Sequence, residues 1–569
     1  MSAEFSHLHV ASSFSLRYGA SPPAELVARA VEQGQGRLAL TDRDGLYGAV
    51  RFAQACHEAR VEAVLGVDLA LRPSPGQPPP AAGGARRRTA PVKGGALRDD
   101  QHPRVTVLAR GQQAGLAPGA GWAALCRVVS ATHLAGERGA PLLDRDELAR
   151  WAVTGGATGG DAAERSGGGR APRAGDGDRA GAPALTVLLG PWSDVGQALL
   201  QRQHTLAREL LRQWQQRLPP ASLVIEVVCH AGPPGTPASL RHAAALWGLA
   251  LEAEVPAVLT AAARHAAPDE AATVDVLDAA RRMVALDTRH LDRITRAGHL
   301  APTAVMQRTA HEVADAVGAV DGRAARAADL LTATERLAEE CVQHPRRDLG
   351  IGSVHLPEPH VLGLTGQDPQ QVLAERCRAA VPTRYAGARD AELRRVQQRL
   401  DDELGVVRQL GYPTYFLTVA AVCDLIREMD VRVAARGSGA GSIITYLLGI
   451  SGVEPLRHDL LMERFCSPLR AQLPDIDVDV ESARRTEVYE RILDRFGGDR
   501  VTCVSMMDTY RVRHAIRDVG SALGMAPVEI DAIAKAFPHI RARDARSAIQ
   551  ELPELRSRGL GAPQLELLF

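Results

Sequence analysis

Pro474-Asp475-Ile476-Asp477-Val478-Asp479-Val480 alternates apolar and acidic residues with a period of two. A strand of that pattern sets Asp475, Asp477 and Asp479 on one face and the apolar residues on the other. Like charges spaced about 7 Å apart along one face repel, and a bound cation is the simplest reason for them to coexist. Hard carboxylate oxygens suit Mg2+, which takes one or two protein carboxylates and completes its octahedron with water and phosphate oxygens. In a two-metal phosphoryl-transfer site the ions lie about 3.5–4 Å apart, one at the attacking oxygen and one at the leaving oxygen. A solvated acidic edge strand or a Ca2+ loop would show the same spacing, so the triplet alone leaves those readings open.

Some thirty residues upstream, Ala435-Arg436-Gly437-Ser438-Gly439-Ala440-Gly441-Ser442 is a small-residue turn running into the apolar stretch IITYLLGI. Such a turn lets backbone N–H groups approach an anion closely, and a following helix N-terminus adds partial positive charge. Alone, a Gly/Ser turn is more often a plain loop; beside an acidic strand it suggests triphosphate on one side and metal on the other.

The whole run from Gly411 to Arg485, GYPTYFLTVAAVCDLIREMDVRVAARGSGAGSIITYLLGISGVEPLRHDLLMERFCSPLRAQLPDIDVDVESARR, resembles the palm of bacterial C-family polymerases, the DNA polymerase III alpha subunit family. The resemblance implies that Asp475 and Asp477 are catalytic aspartates holding two Mg2+ ions, with Asp479 as the third acid of the metal-binding motif. It implies that Gly437, Ser438 and Arg464 contact the nucleotide phosphates, and that the substrates are primer-template DNA and dNTPs. In this family the remaining catalytic aspartate lies on a later strand. The second palm segment, the fingers and the C-terminal modules, through which a sliding clamp and mutagenesis accessory proteins would bind, are expected beyond Phe569. The chain alone is therefore expected not to polymerise.

The opening Phe5-Ser6-His7-Leu8-His9-Val10-Ala11-Ser12 is similar to the start of the PHP (polymerase and histidinol phosphatase) domain that heads these polymerases. Functional PHP sites resemble a trinuclear metal cluster able to hydrolyse phosphoesters. Here the partner of His9 is Ala11, an acidic position is Tyr18, and the usual His after Thr41-Asp42 is Arg43. Arg104 stands where the family often has His, Pro191 lies near the expected Cys, and Ala262 and Arg264 replace a late Asp-x-His pair, with His265 adjacent. A guanidinium offers no lone pair to a metal. The domain is expected to be structural, with its metals absent; the competing reading is a reduced one- or two-metal site on His7, His9, Asp42 and Asp68. The residues ASSFSLRYGA, ALTDRDGLYGAVRFA and LTAAARHA place the resemblance with the error-prone, translesion branch of the family found in actinobacteria. Two other functions stay open: a PHP-domain metal-dependent phosphoesterase, and a non-catalytic truncated fragment that binds DNA or partners.

Around these motifs, RLALTD, AVLGVDLAL, VTVLAR, LTVLLG, LVIEVV and PAVLT read as buried strands between helical stretches, the rhythm of βα units. The fold class expected is α/β multidomain: a PHP-type (βα)7-like barrel, a polymerase beta-like nucleotidyltransferase palm, and a partial helical thumb. The boundaries expected are 1–270 for the PHP domain, 271–506 for the first part of the palm with a helical lead-in, and 507–569 for an incomplete thumb. Stretches at about 72–103 and 154–183, rich in Gly, Pro, Ala and Arg, read as disordered insertions.

At 569 residues the chain needs several cores. Apolar residues at 45% and charged residues at 24% fit a folded globular protein rather than a disordered one. Lys plus Arg equals Asp plus Glu at 67 each, so any basic surface for nucleic acid must be local. Eight scattered cysteines form no CxxC pair, which argues against a zinc ribbon and against a disulfide framework. No signal pattern or membrane span is evident, and a cytoplasmic location is expected.

Overall fold

The computed structural model describes residues 4–72, 102–153, 182–552 and 555, apart from 138, 283, 288–295, 322, 468–473, 499 and 505–509. Both low-complexity stretches thus lie almost wholly outside the described residues. Described residues within Met1–Ile351 and Met507–Phe569 form one compact unit, and those within Gly352–Met506 another.

The first unit runs α1 (Pro23–Glu32), β1 (Arg37–Arg43), α2 (Ala49–Ala59), β2 (Glu62–Ala70), β3 (Arg104–Ala109), α3 (Ala120–Ala135), α4 (Arg145–Trp151), β4 (Leu185–Leu189), α5 (Asp194–Leu200), α6 (His204–Arg217), β5 (Leu223–Val228), α7 (Leu240–Glu252) and β6 (Ala257–Thr260). The strands sit side by side in chain order, all parallel to their neighbours except β3, which is antiparallel to β2 and β4. The N-terminal segment closes the ring. His7 O accepts from Ala39 N at 2.9 Å on the β1 side, and His9 O accepts from Ala263 N at 2.9 Å just after β6. Each strand is buried on both faces, which is why these strands read as near-continuous apolar runs rather than as alternating ones.

Helices α8 (Ala271–Arg282), α9 (Thr303–Asp321) and α10 (Ala327–Glu340) follow, then the two-residue β7 (Val342–Gln343), which pairs with β2. Leu300, Met306, Val313, Val317 and Leu330 join the main barrel core, and Leu337, Ala338 and Cys341 pack with Leu8, Val64, Leu108, Leu188 and Val258. The compact unit that holds the barrel runs past the expected boundary at 270, to Ile351. A change from mixed to helical sequence marks a change of secondary structure, and the apolar faces of these helices still need the barrel to cover them.

The second unit contains α11 (Pro369–Arg384), α12 (Asp390–Leu410), α13 (Pro413–Glu428), β8 (Val433–Arg436), α14 (Ile443–Leu447), β9 (Asp477–Val480) and α15 (Arg485–Phe496). Its core joins Leu373, Val396, Leu400, Val407, Phe416, Ile443, Ile444 and Phe465. The strand expected over 474–480 pairs only from Asp477, and the helix expected over 443–450 ends at Leu447. The chain then returns to the first unit with α16 (Val512–Ala522), α17 (Pro527–Ala536) and α18 (Ala545–Glu551). There Arg17 grips Asp518 of α16 through Nε at 2.9 Å and Nη2 at 3.2 Å, and Leu286 N donates to Ala522 O. The expected segment 507–569 thus falls, where described, in the barrel's own compact unit.

Candidate functional site

In the second unit, β8 and β9 pair antiparallel with Arg436 opposite Asp477 and Ala434 opposite Asp479. The alternation read from the sequence is realised: Asp475, Asp477 and Asp479 are exposed, while Ile476 and Val478 turn toward the core. From β8 the chain enters a 3-10 turn, Gly437–Gly441. Gly437 has φ +74, a left-handed backbone that favours glycine, and a Cβ there would lie 3.5 Å from Asp477 Oδ2. The start of the Gly/Ser turn and the acidic strand are thus immediate neighbours, with Ser438 exposed beside them.

The three aspartates differ in their surroundings. Asp479 is paired with Arg436 at 3.1 Å, whereas among the described residues Asp475 and Asp477 have no cationic partner. Tyr415 Oη accepts the N–H of Ile476 at 3.0 Å and fixes the backbone between them. Burial, joined by Asp475 and Asp477, pushes the Tyr415 hydroxyl up to about 12. Two exposed, uncompensated carboxylates beside a glycine turn fit a divalent cation with open positions for phosphate; Asp479 fits that role less well, because a guanidinium already faces it. Arg464 ends the 3-10 turn Met462–Arg464, exposed, and a Cβ on Gly441 would lie 3.1 Å from Leu461 O, so the two turns abut. The helix following the Gly/Ser turn does not offer its N-terminus to a ligand. Glu403 accepts from Ile443 N and Ile444 N at 2.9 and 3.4 Å, which uses those amides internally.

In the barrel unit, His9 lines a polar pocket with Tyr18, Arg43, Asp68, Arg104, Thr106, Gly190, Trp192 and Glu226. His9 Nδ1 lies 2.7 Å from Glu226 Oε1, which also accepts from Thr260 Oγ1 at 2.6 Å. Burial pulls His9 toward neutrality, but Glu226 outweighs it and the net direction is upward. Asp68 is clamped by Arg104 Nε at 3.0 Å to both oxygens and by Arg43 Nε at 3.2 Å, while Arg104 Nη2 reaches Asp44 Oδ1 at 2.9 Å. Tyr18 is sandwiched between guanidiniums, with Arg43 Cζ 3.3 Å and Arg264 Cζ 3.9 Å from its ring centre. Arg264 in turn forks onto Asp278, which Arg281 also bonds.

These residues do not fit a metal cluster. The space left in the pocket is about 10 Å3, room for at most one water. Among the described residues no three of His, Cys, Asp and Glu converge as metal ligands. His7 and Asp42, the other members of the reduced site, turn elsewhere. His7 Nε2 lies 2.9 Å from Ala301 O, and burial pushes its pKa down to about 4, so it is neutral. Asp42 accepts from Ser12 N, Ser12 Oγ and Ser15 Oγ, knitting the 12–15 loop to β1.

Burial raises Asp42 from 3.8 to about 6, against the opposing effect of those serine hydrogen bonds. Folded Asp42 therefore keeps its proton to higher pH than the unfolded chain. Its stabilising share is complete below about pH 4 and is lost as the pH climbs through about 6. The unfolding free energy of the natural chain, less that of Asp42→Asn, is expected to fall by about 2 kcal/mol between about pH 4 and about pH 7. Urea titrations at the two pH values check this, and an unchanged difference contradicts it.

Two acids central to these arrangements carry signals that the motif reading passed over. Glu226 is the lone charged residue in the buried strand Leu223–Val228, and Glu403 occupies a position on the apolar stripe Val396, Leu400, Glu403, Val407 of α12. A charge where the pattern demands an apolar residue implies a buried partner.

Residues 371–569 match the family model described as the bacterial DNA polymerase III alpha NTPase domain, and residues 7–230 match the PHP domain model. Error-prone DNA polymerases are similar over most of this sequence. That of Mycobacterium tuberculosis is 32% identical over 541 residues, covering 95% of this chain and 42% of the relative. That of Nocardia farcinica is 32% identical with 93% and 43% covered, and that of Symbiobacterium thermophilum 29% identical with 99% and 45% covered. The chain thus spans less than half the length of these relatives. With a match to the PHP domain model ahead of a match to the alpha-type NTPase domain model, the chain resembles the N-terminal part of the bacterial DNA polymerase III alpha family.

Proposed function

We propose that this chain supplies the first part of the active site of an error-prone, translesion DNA-directed DNA polymerase, behind a PHP domain that is structural rather than hydrolytic. The primer 3′-hydroxyl oxygen bonds to the alpha-phosphorus of a dNTP, the bond from that phosphorus to the alpha-beta bridging oxygen breaks, pyrophosphate leaves, and the hydroxyl proton passes to solvent. When bound at Asp475 and Asp477, Mg2+ neutralises phosphate charge and sharpens the attacking oxygen. Asp475 and Asp477 hold that charge in place, the amides of the 437–441 turn face the triphosphate, and Arg464 approaches it from the neighbouring turn. Asp479 steadies Arg436 next to the turn. Primer-template DNA and dNTPs are the substrates, and a sliding clamp and mutagenesis accessory proteins are the partners of the longer polypeptide.

The observation that carries this reading is the adjacency of Gly437 to Asp477 beside a second uncompensated carboxylate. In the barrel, guanidiniums standing where metal ligands would be needed support the structural role of the PHP domain. The test is saturable binding of a fluorescent dNTP to the purified chain, expected with Mg2+ and abolished by EDTA. Absence of binding, or binding indifferent to EDTA, overturns the proposal.

A further inference from the structure

In the second unit, the buried Glu403 and the partly exposed Arg399 form an ion pair that has no part in the chemistry just described. Glu403 is 2% exposed and lies on the apolar face of α12. Its carboxylate accepts from Ser442 Oγ at 2.6 Å, from Ile443 N at 2.9 Å and from Arg399 Nε, one helical turn earlier, at 2.6 Å. Arg399 carries the connection onward: its Nη2 donates to Gly441 O at 3.3 Å and to Leu460 O at 3.1 Å. One ion pair therefore touches the end of the 437–441 turn, the first amides of α14, and Leu460, two residues ahead of the 462–464 turn.

We propose that Arg399 and Glu403 are positioning residues for nucleotide binding, setting the spacing between the phosphate-facing turn at Gly437 and Ser438 and the turn that carries Arg464. This rests on the polymerase reading above. Neither side chain touches the nucleotide. Glu403 acts as an internal anion that satisfies Ser442 and Ile443 before any ligand arrives, and Thr445 Oγ1 closes the same turn by donating to Gly439 O at 2.7 Å. A turn already ordered does not have to be ordered by the triphosphate, so more of the contact energy appears as affinity. Removing a group that fixes several buried donors leaves them unsatisfied and lets the turn sample other conformations.

The test compares Glu403→Gln and Arg399→Lys with the natural chain in two measurements. One is Mg2+-dependent binding of a fluorescent dNTP; the other is Mn2+ binding followed by electron paramagnetic resonance without nucleotide. Glu403→Gln is expected to weaken the dNTP about tenfold while changing Mn2+ affinity less than about twofold. Arg399→Lys, which keeps the charge but loses the fork to Gly441 and Leu460, is expected to weaken the dNTP about threefold. If Glu403→Gln does not fold, Arg399→Lys decides by the same criterion. Unchanged dNTP affinity, or equal losses of dNTP and Mn2+, overturns the positioning role while leaving the polymerase reading in place. Failure of the natural chain to bind dNTP overturns both.

Discussion

An Asp278→Asn chain is expected to be less stable than the natural one by about 3–5 kcal/mol, the cost typical of breaking a buried ion pair from one side. Asp278 is 1% exposed, Arg264 is fully buried, and Arg281 is 2% exposed, so solvent cannot take over from the lost carboxylate. An amide in the same space leaves two guanidiniums facing a neutral group. The urea midpoint should fall with little change in slope, because the same surface is exposed on unfolding. Burial alone would raise the Asp278 carboxyl, but Arg264 and Arg281 outweigh it and hold it below its ordinary value. Its stabilisation is thus present above the ordinary carboxylate range and lost as the pH falls below about 4, where the natural chain should approach the variant. A loss under about 1 kcal/mol at neutral pH would show that the network is not coupled as the geometry implies.

Asp477→Asn is expected to weaken Mg2+-dependent dNTP binding by on the order of 100-fold or more. Replacing residues that merely orient metal ligands costs about 10–100-fold in affinity, and a direct ligand sets a higher floor. Asp477 is the acid that the Gly437 backbone faces, so the amide substitution removes charge at the point where turn and strand meet. Asp479→Asn should cost little by comparison, since its exposed pair with Arg436 is worth about 1 kcal/mol at most. Equal losses from both substitutions would place the metal between Asp477 and Asp479 instead, and the same fluorescent titration distinguishes the two.

Much of this is legible in the sequence. The strands of the barrel announce themselves as short apolar runs between amphipathic helices, and the period-two alternation at 475–480 predicts which face carries the acids. What stayed hidden was pairing across long stretches of chain. His9 meets Glu226 at a separation of 217 residues, and no local pattern specifies which buried acid meets which buried base. The sequence groups His7 with His9, Asp42 and Asp68 in a reduced site, yet His7 is taken up by the backbone carbonyl of Ala301. Likewise the helices after 270 look like a new domain until their apolar residues are seen to complete the barrel core.

The arginine-filled mouth of the barrel also constrains its own history. Each guanidinium there answers a carboxylate: Arg43 and Arg104 for Asp68, Arg104 for Asp44, Arg264 for Asp278. Exchanging one arginine for a histidine would weaken the pairing of a buried acid before any ion had enough ligands to occupy the gap. Installing a metal site there would therefore take several coordinated replacements, each harmful alone, so that the arrangement behaves as a ratchet that favours staying where it is.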